Sequence, residues 1–156
     1  MVLAMIPARM GSQRLKRKNL RELAGVPIVT RAIRKCLGAG VFDEVWLNSE
    51  HDAFAEIAEN EGVAFHKRPE ELGSNQATSE QYVAQFLREH ECDYLVQVHS
   101  IAPLLQKKEI IRFVEMLVNN DADVMLSYEE VAIECALDGN PVNFSYSEKT
   151  NSQDLH

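Results

Sequence analysis

The sequence predicts an α/β fold with a mainly parallel sheet flanked by helices, and three observations carry that prediction. Short apolar runs of strand character alternate with stretches of helical periodicity from the N-terminus to about residue 128. Alternation of this kind builds parallel βαβ units with right-handed crossovers. Positive charge also gathers directly behind the first apolar run, and open sheets of this class bind ligands outside the carboxyl ends of their strands.

The elements follow in order. Val2-Leu3-Ala4-Met5-Ile6 reads as a buried strand. After a basic loop, Gly25-Val26-Pro27 leads into a helix, with Pro27 suited to its first turn. Ile28, Val29, Ala32, Ile33, Cys36 and Leu37 repeat at helical spacing, and Gly38 and Gly40 end the run. A strand over 45–49 precedes a helix over 53–60, buried through Phe54, Ile57 and Ala58 and stopped near Gly62. Residues 63–65 make a short strand, and 66–77, with Pro69 and Gly73, a long loop. Thr78 or Ser79 caps the next helix, with Gln81 completing a capping box and Tyr82, Val83, Phe86 and Leu87 on its apolar face. Strand 94–98, helix 107–119 and strand 123–128 complete the pattern. From Asp138 onward turn formers dominate and periodicity is lost. The expected organisation is one domain over 1–137, then an irregular segment over 138–156 that is the start of a missing portion or a flexible tail. The informative loops are those after Ile6, Ser49 and Val98.

Composition narrows the functions. The first 21 residues hold six basic side chains and no acidic one; against a total of −8, that leaves −14 for residues 22–156. A summed negative field disfavours nucleic acid and anionic membrane as partners, whereas a small anion can be held where basic groups converge. No apolar run approaches the roughly 20 residues needed to span a bilayer, and no secretory signal is visible. Cys36, Cys92 and Cys135 have no CxxC spacing, and Cys36 lies on an apolar helical stripe. A reduced, cytoplasmic protein is expected.

The basic loop is neither GxxxxGK(S/T) nor GxGxxG. It reads Ile6-Pro7-Ala8-Arg9-Met10-Gly11-Ser12-Gln13-Arg14-Leu15, then Lys16-Arg17-Lys18-Asn19. That run closely resembles IPARxGSxRLPxKN, the signature of the sugar-acid cytidylyltransferases that include the acylneuraminate enzymes, with Lys16 in place of proline. Gly25-Val26-Pro27-Ile28, the Arg68-Pro69-Glu70-Glu71-Leu72 loop and Thr78-Ser79 extend the likeness across residues 2–128. The resemblance implies a Rossmann-like nucleotidyltransferase fold, CTP and a 3-deoxy-2-ulosonic acid as substrates, Mg²⁺ as cofactor, and homodimer formation as an open question. Another nucleotide or sugar-phosphate transferase, or a non-catalytic nucleotide-binding domain of the same fold, stays as an alternative.

The departures are concentrated in one segment. Where the family has LQPTSPLR, this chain has Val98 to Leu105, so His99 replaces a glutamine, Ile101 and Ala102 remove two hydroxyls, and Leu105 removes an arginine. An acceptor other than the commonest sialic acid is expected. Asn75 stands where an aspartate is common, and the family's metal-binding aspartates fall beyond residue 156.

These positions give a candidate site. Arg14 and Lys18, with Arg9, are expected at the triphosphate, since Arg grips phosphate bidentately and Lys acts as a point charge. Gly11 and Ser12 bring backbone N–H groups close to the anion, Ala8 belongs to the nucleotide site, and Asn19 caps the loop or contacts ligand. His99 is a contact or a general base, because imidazole titrates near neutrality. Arg68, Glu71 and Asn75 face the sugar acid, with an Arg68–Glu71 ion pair stapling the loop as the equal alternative for the first two. Glu50 is either a metal support or a helix-capping carboxylate. His51, His66 and His90 have no metal spacing and receive no role.

Overall fold

Residues Val2–Pro7 form β1, the centre of a four-stranded sheet. In this computed structural model, residues 1–129 and 131–148 are described. A 3₁₀ turn at Lys18–Leu20 and a small hairpin, β2 (Glu22–Leu23) and β3 (Val26–Pro27), follow the basic loop. Then come α1 (Ile28–Ala39), β4 (Glu44–Ser49), α2 (Ala53–Glu61), β5 (Ala64–Lys67), a 3₁₀ turn at Glu70–Gly73, α3 (Ser79–Leu87), β6 (Tyr94–Gln97) and α4 (Lys107–Val118). The sheet runs β5-β4-β1-β6 with every pairing parallel. The predicted α/β class is therefore what the chain adopts.

The register sorts the core onto two faces. Met5 pairs with Trp46, which pairs with Ala64, so these side chains share a face with Leu3. Phe86 of α3 packs there against Leu3 and Met5, with Trp46, Tyr82 and Val83 around it. Alternate residues point to the opposite face, where α1 presents Val29, Ala32, Ile33 and Cys36 at helical spacing. Each fully buried large side chain, Phe54, Phe86, Leu3 and Ile33 among them, contributes roughly 1.5–3 kcal/mol of burial free energy.

Local chemistry ends the elements where the sequence says it should. Gly40 (φ 65°) and Gly62 (φ 69°) close α1 and α2 in the left-handed conformation that glycine adopts freely. The Thr78 N–H donates to Gln81 Oε1 at 2.9 Å, forming the expected capping box. Pro27 precedes α1 as its N-cap instead of sitting inside the first turn.

Two expectations fail. Residues 123–128 form no strand: Val124, Leu126 and Tyr128 alternate as a strand would but stand exposed, and no described strand supplies them with a ladder. The segment after Asp138 is not wholly irregular, since β7 (Ala136–Leu137) pairs antiparallel with β8 (Asn140–Pro141). Asp138 (φ 50°) and Gly139 (φ 78°) make the turn, an Asp-Gly hairpin signal readable in the sequence. The chain divides into two compact units, with the boundary between Ala122 and Asp123. No described helix is long and apolar enough to cross a membrane.

Burial pushes the Cys36 thiol up to about 12, whereas Cys135 is exposed. At mildly alkaline pH a thiol reagent should modify Cys135 quickly and Cys36 only on unfolding. Peptide mass spectrometry checks this, and rapid labelling of Cys36 in the folded chain would exclude the α1 packing described.

Candidate functional site at the sheet switch point

Strand order reverses beside β1: the chain moves outward through β4 and β5, then returns to place β6 on the other side. Loops leaving β1 and β6 therefore diverge, and a cleft opens between them. It measures about 260 Å³. Ala8, Arg9, Ser12, Lys18 and Asn19 line it from the β1 loop, and His99, Ser100 and Ile101 from the end of β6. Arg68, Asn75 and Tyr82 close the third side. Eight predicted site residues thus converge on one cleft, and the two that do not line it are Gly11 and Arg14.

A buried ion pair organises the floor. Arg68 Nη2 donates to Glu50 Oε2 and to the Ala8 carbonyl, each at 2.9 Å, and Nη1 donates to Asn48 Oδ1 at 3.1 Å. The two side chains are only 3% and 12% exposed. The second Glu50 oxygen accepts the Met10 N–H at 2.7 Å. Arg68 also lies over the Tyr82 ring, 5.1 Å from its centroid. Glu50 is therefore neither a free metal support nor a helix cap; it neutralises Arg68 and fixes the β1 loop. The Arg68–Glu71 staple does not form, because Glu71 faces solvent. Gly73 has a steric reason, since a Cβ there would lie 2.5 Å from Glu50 Cδ.

Arg68 reaches the cleft with most of its donors engaged. Its Nε and Asn48 Nδ2 are the buried side-chain nitrogens that lack partners among the described residues. Arg68 lines the cleft, whereas Asn48 lies wholly buried behind it.

The basic loop is held at three points. Arg9 Nη1 donates to the Ser74 carbonyl at 2.9 Å. Asn19, buried, donates from Nδ2 to the Arg9 carbonyl at 2.9 Å and accepts the Ser100 hydroxyl at 2.8 Å. Asn19 therefore caps the loop, and it joins the β1 and β6 sides of the cleft. Arg14 is exposed on the loop crest, away from the lining, and Gly11 has open space around it. Neither left-handed backbone nor crowding demands glycine at position 11. His99 lies at the cleft mouth, and its pKa falls below the usual 6.5, first because its surroundings desolvate the ring and second because Lys18 is near. It is neutral near neutrality and so able to accept a proton.

Four contributors escaped the sequence reading: Asn48, Ser100, Tyr82 and the structural role of Glu50. A wholly buried asparagine inside an apolar strand, such as Asn48, is the one visible signal.

A family model described as cytidylyltransferase matches residues 3–154. N-acylneuraminate cytidylyltransferase A of Danio rerio is 32% identical over 125 residues, covering 80% of this chain and 29% of the relative. Pseudaminic acid cytidylyltransferase of Campylobacter jejuni serotype O:2 is 30% identical over 134 residues, covering 82% of this chain and 58% of the relative. The solved CMP:2-keto-3-deoxy-manno-octonic acid synthetase, complexed with CTP, superposes with a TM-score of 0.69 at 17% identity, over 78% of this chain and 48% of that one. The chain thus spans under a third of the fish relative's length and somewhat over half of the bacterial one's.

Two outcomes follow from the site's electrostatics. Glu50→Ala leaves the Arg68 charge buried without its partner and should cost about 3–5 kcal/mol, read by urea unfolding. A loss under about 1 kcal/mol would show the pair to be dispensable. Because folding lowers the His99 pKa, the unfolded chain binds more protons just below pH 6.5. The His99 contribution is therefore full above that pH and falls as pH drops toward the folded-state pKa. Wild type should lose more stability than His99→Gln across that window, and a folded-state NMR titration midpoint at or above 6.5 would contradict it.

Proposed function

This chain belongs to the cytidylyltransferase family, and from that premise we propose that its cleft binds the triphosphate of CTP. The proposed reaction transfers CMP to an acidic sugar of the sialic-acid type and releases pyrophosphate. The observation that supports it best is convergence at the sheet switch point. Arg9, Ser12 and Lys18 from the signature loop face His99 from β6 across one cleft.

In this reading Lys18 and Arg9 neutralise phosphate charge, and the Gly11 N–H, with open space around it, reaches the anion, whereas the Ser12 N–H is held by the Met10 carbonyl at 3.1 Å. Arg14 extends that positive surface from the loop crest. The acceptor hydroxyl forms the new bond to the α-phosphorus as the bond to the pyrophosphate oxygen breaks. Neutral His99 is the cleft group suited to take the hydroxyl proton. In the same reading Arg68 and Asn75, both of which line the cleft, serve the sugar acid. Loss of two hydroxyls and an arginine in the 98–105 segment, together with the pseudaminic acid relative, favours an acceptor other than the commonest sialic acid.

Mg²⁺ in phosphoryl-transfer sites is held by one or two carboxylates plus substrate phosphates. No Asp or Glu is among the described lining residues, and both Glu50 oxygens are engaged. The described residues therefore do not provide a protein ligand set for that ion, and no step is routed through it. The same observation favours a second reading, in which this chain binds CTP without turning it over.

Thermal unfolding with CTP, UTP, ATP and GTP tests the proposal. CTP at 100 times its dissociation constant should stabilise by about 2.7 kcal/mol, and the other nucleotides should stabilise less. Lys18→Ala and Arg14→Ala should weaken that response. Gly11→Ala should leave unliganded stability within about 0.5 kcal/mol yet reduce the CTP effect. Equal or absent responses to all four nucleotides would sink the proposal. Pyrophosphate release with a panel of ulosonic acids separates turnover from binding alone.

A further inference from the structure

Away from the cleft, folding gathers two histidines that are distant in sequence. We propose that His66, His90 and Glu89 form a divalent transition-metal site, suited to Zn²⁺, that clamps edge strand β5 to the turn after α3. His66 Nδ1 and His90 Nε2 lie 2.9 Å apart, and Glu89 Oε2 is 3.8 Å from His66 Nδ1. One donor atom from each of the three residues lies within 4.8 Å of the others. Tetrahedral zinc, with bonds of 2.0–2.2 Å, separates its ligand atoms by roughly 3.3 Å. The histidine pair must open by a few tenths of an ångström, and the Glu89 carboxylate must close on both rings. Glu89 is exposed and free to do so.

Gln85 provides the strongest support. Its Nε2 donates to Glu89 Oε1 at 2.7 Å, and a carboxylate can only accept. Gln85 Oε1 therefore faces His66 Nε2, at 2.7 Å, and must accept a proton from it. That hydrogen bond leaves the lone pair of neutral His66 on Nδ1, the atom aimed at His90 and Glu89. Metal-binding histidines characteristically donate their second ring N–H to such a partner. One amide thus orients two of the three ligands.

Packing fixes the rings. His66 is buried against Phe86 with centroids 5.0 Å apart, and His90 lies 4.1 Å from Trp46 and 4.3 Å from Phe86. Burial, and next the proximity of His66, lower the His90 pKa. Two histidines and one carboxylate, with the Glu89 side open to solvent, suit borderline Zn²⁺ better than Mg²⁺ or Ca²⁺. Without metal, the same atoms make a hydrogen-bonded histidine pair. Spacing along the chain does not reveal the site, since residues 66 and 89–90 lie on different elements.

Trp46 is the only tryptophan in the chain, and its ring lies against a proposed ligand at a 45° tilt. Zn²⁺, and Co²⁺ as a visible-absorption probe, would be titrated into untagged, chelator-stripped chain. The proposal expects saturable binding of one equivalent with a change in Trp46 fluorescence and a raised Tm. Glu89→Gln, at an exposed position, and His90→Gln should each weaken binding at least about tenfold, and Gln85→Leu about 10–100-fold. A Cys92→Ser, Cys135→Ser double variant should bind as wild type does. Absence of one-equivalent binding, or binding lost with the cysteines but retained in Glu89→Gln, would overturn the site. Nucleotide binding at the cleft enters none of these readouts.

Discussion

The Arg68–Glu50 pair is the contact on which the cleft depends. Arg68 reaches from the end of β5 to Asn48 and Glu50 at the end of β4 and to the carbonyl of Ala8 behind β1. Three adjacent parallel strands are thereby tied together at their carboxyl ends by one guanidinium. Burying that charge carries a desolvation cost that geometry must offset. Here it is offset by a carboxylate, two further acceptors and the face of Tyr82. Lysine would not substitute, because a point charge cannot address three acceptors on two neighbouring strands with a planar fork of donors.

From that anchor the rest of the cleft follows. Glu50 passes the constraint to the basic loop through Met10 N–H, and Asn19 passes it across to Ser100 on the β6 side. Ser100 stands where the resemblance expects proline, a residue with no hydroxyl to offer. The loop is therefore positioned by Glu50 and Asn19, together with the Arg9 guanidinium on the Ser74 carbonyl. Lys18 remains to act on a ligand, and Arg14 stays exposed beyond the lining. Structural and ligand-facing charges are thus separated within a dozen residues.

That separation explains which parts of the molecule were legible in the sequence. Helix and strand positions in Met1–Ala122 follow periodicity and capping, because α1, α2, α3 and α4 each bury a regular stripe and end on local signals. The signature loop marked the cleft, since its residue types and spacing are local. Glu50 was not legible: its partners are 18 residues ahead and 40 behind, and no local pattern encodes such pairing. Residues 123–128 misled for a related reason. Alternation states which faces a strand would have but not whether a neighbour exists to pair with it. The Asp138-Gly139 turn was readable and lay hidden only in a polar context.

The histidines show how environment, and not residue type, assigns chemistry. His99 is lowered in pKa by desolvation and by Lys18, with no hydrogen-bonding side chain among the described residues to fix its tautomer. Either ring nitrogen is therefore available to an incoming hydroxyl, as proton transfer at a cleft mouth requires. His66 is the opposite case: Gln85 fixes its tautomer, Phe86 fixes its ring, and its remaining lone pair points at a second imidazole and a carboxylate. Such a group is poorly suited to shuttle protons and well suited to hold a cation. His66 and Arg68 are two residues apart on the same face of the chain leaving β5, so whatever rigidifies the first also steadies the second. A cation at His66 would reinforce the strand end that carries the cleft's anchoring arginine without entering the cleft itself.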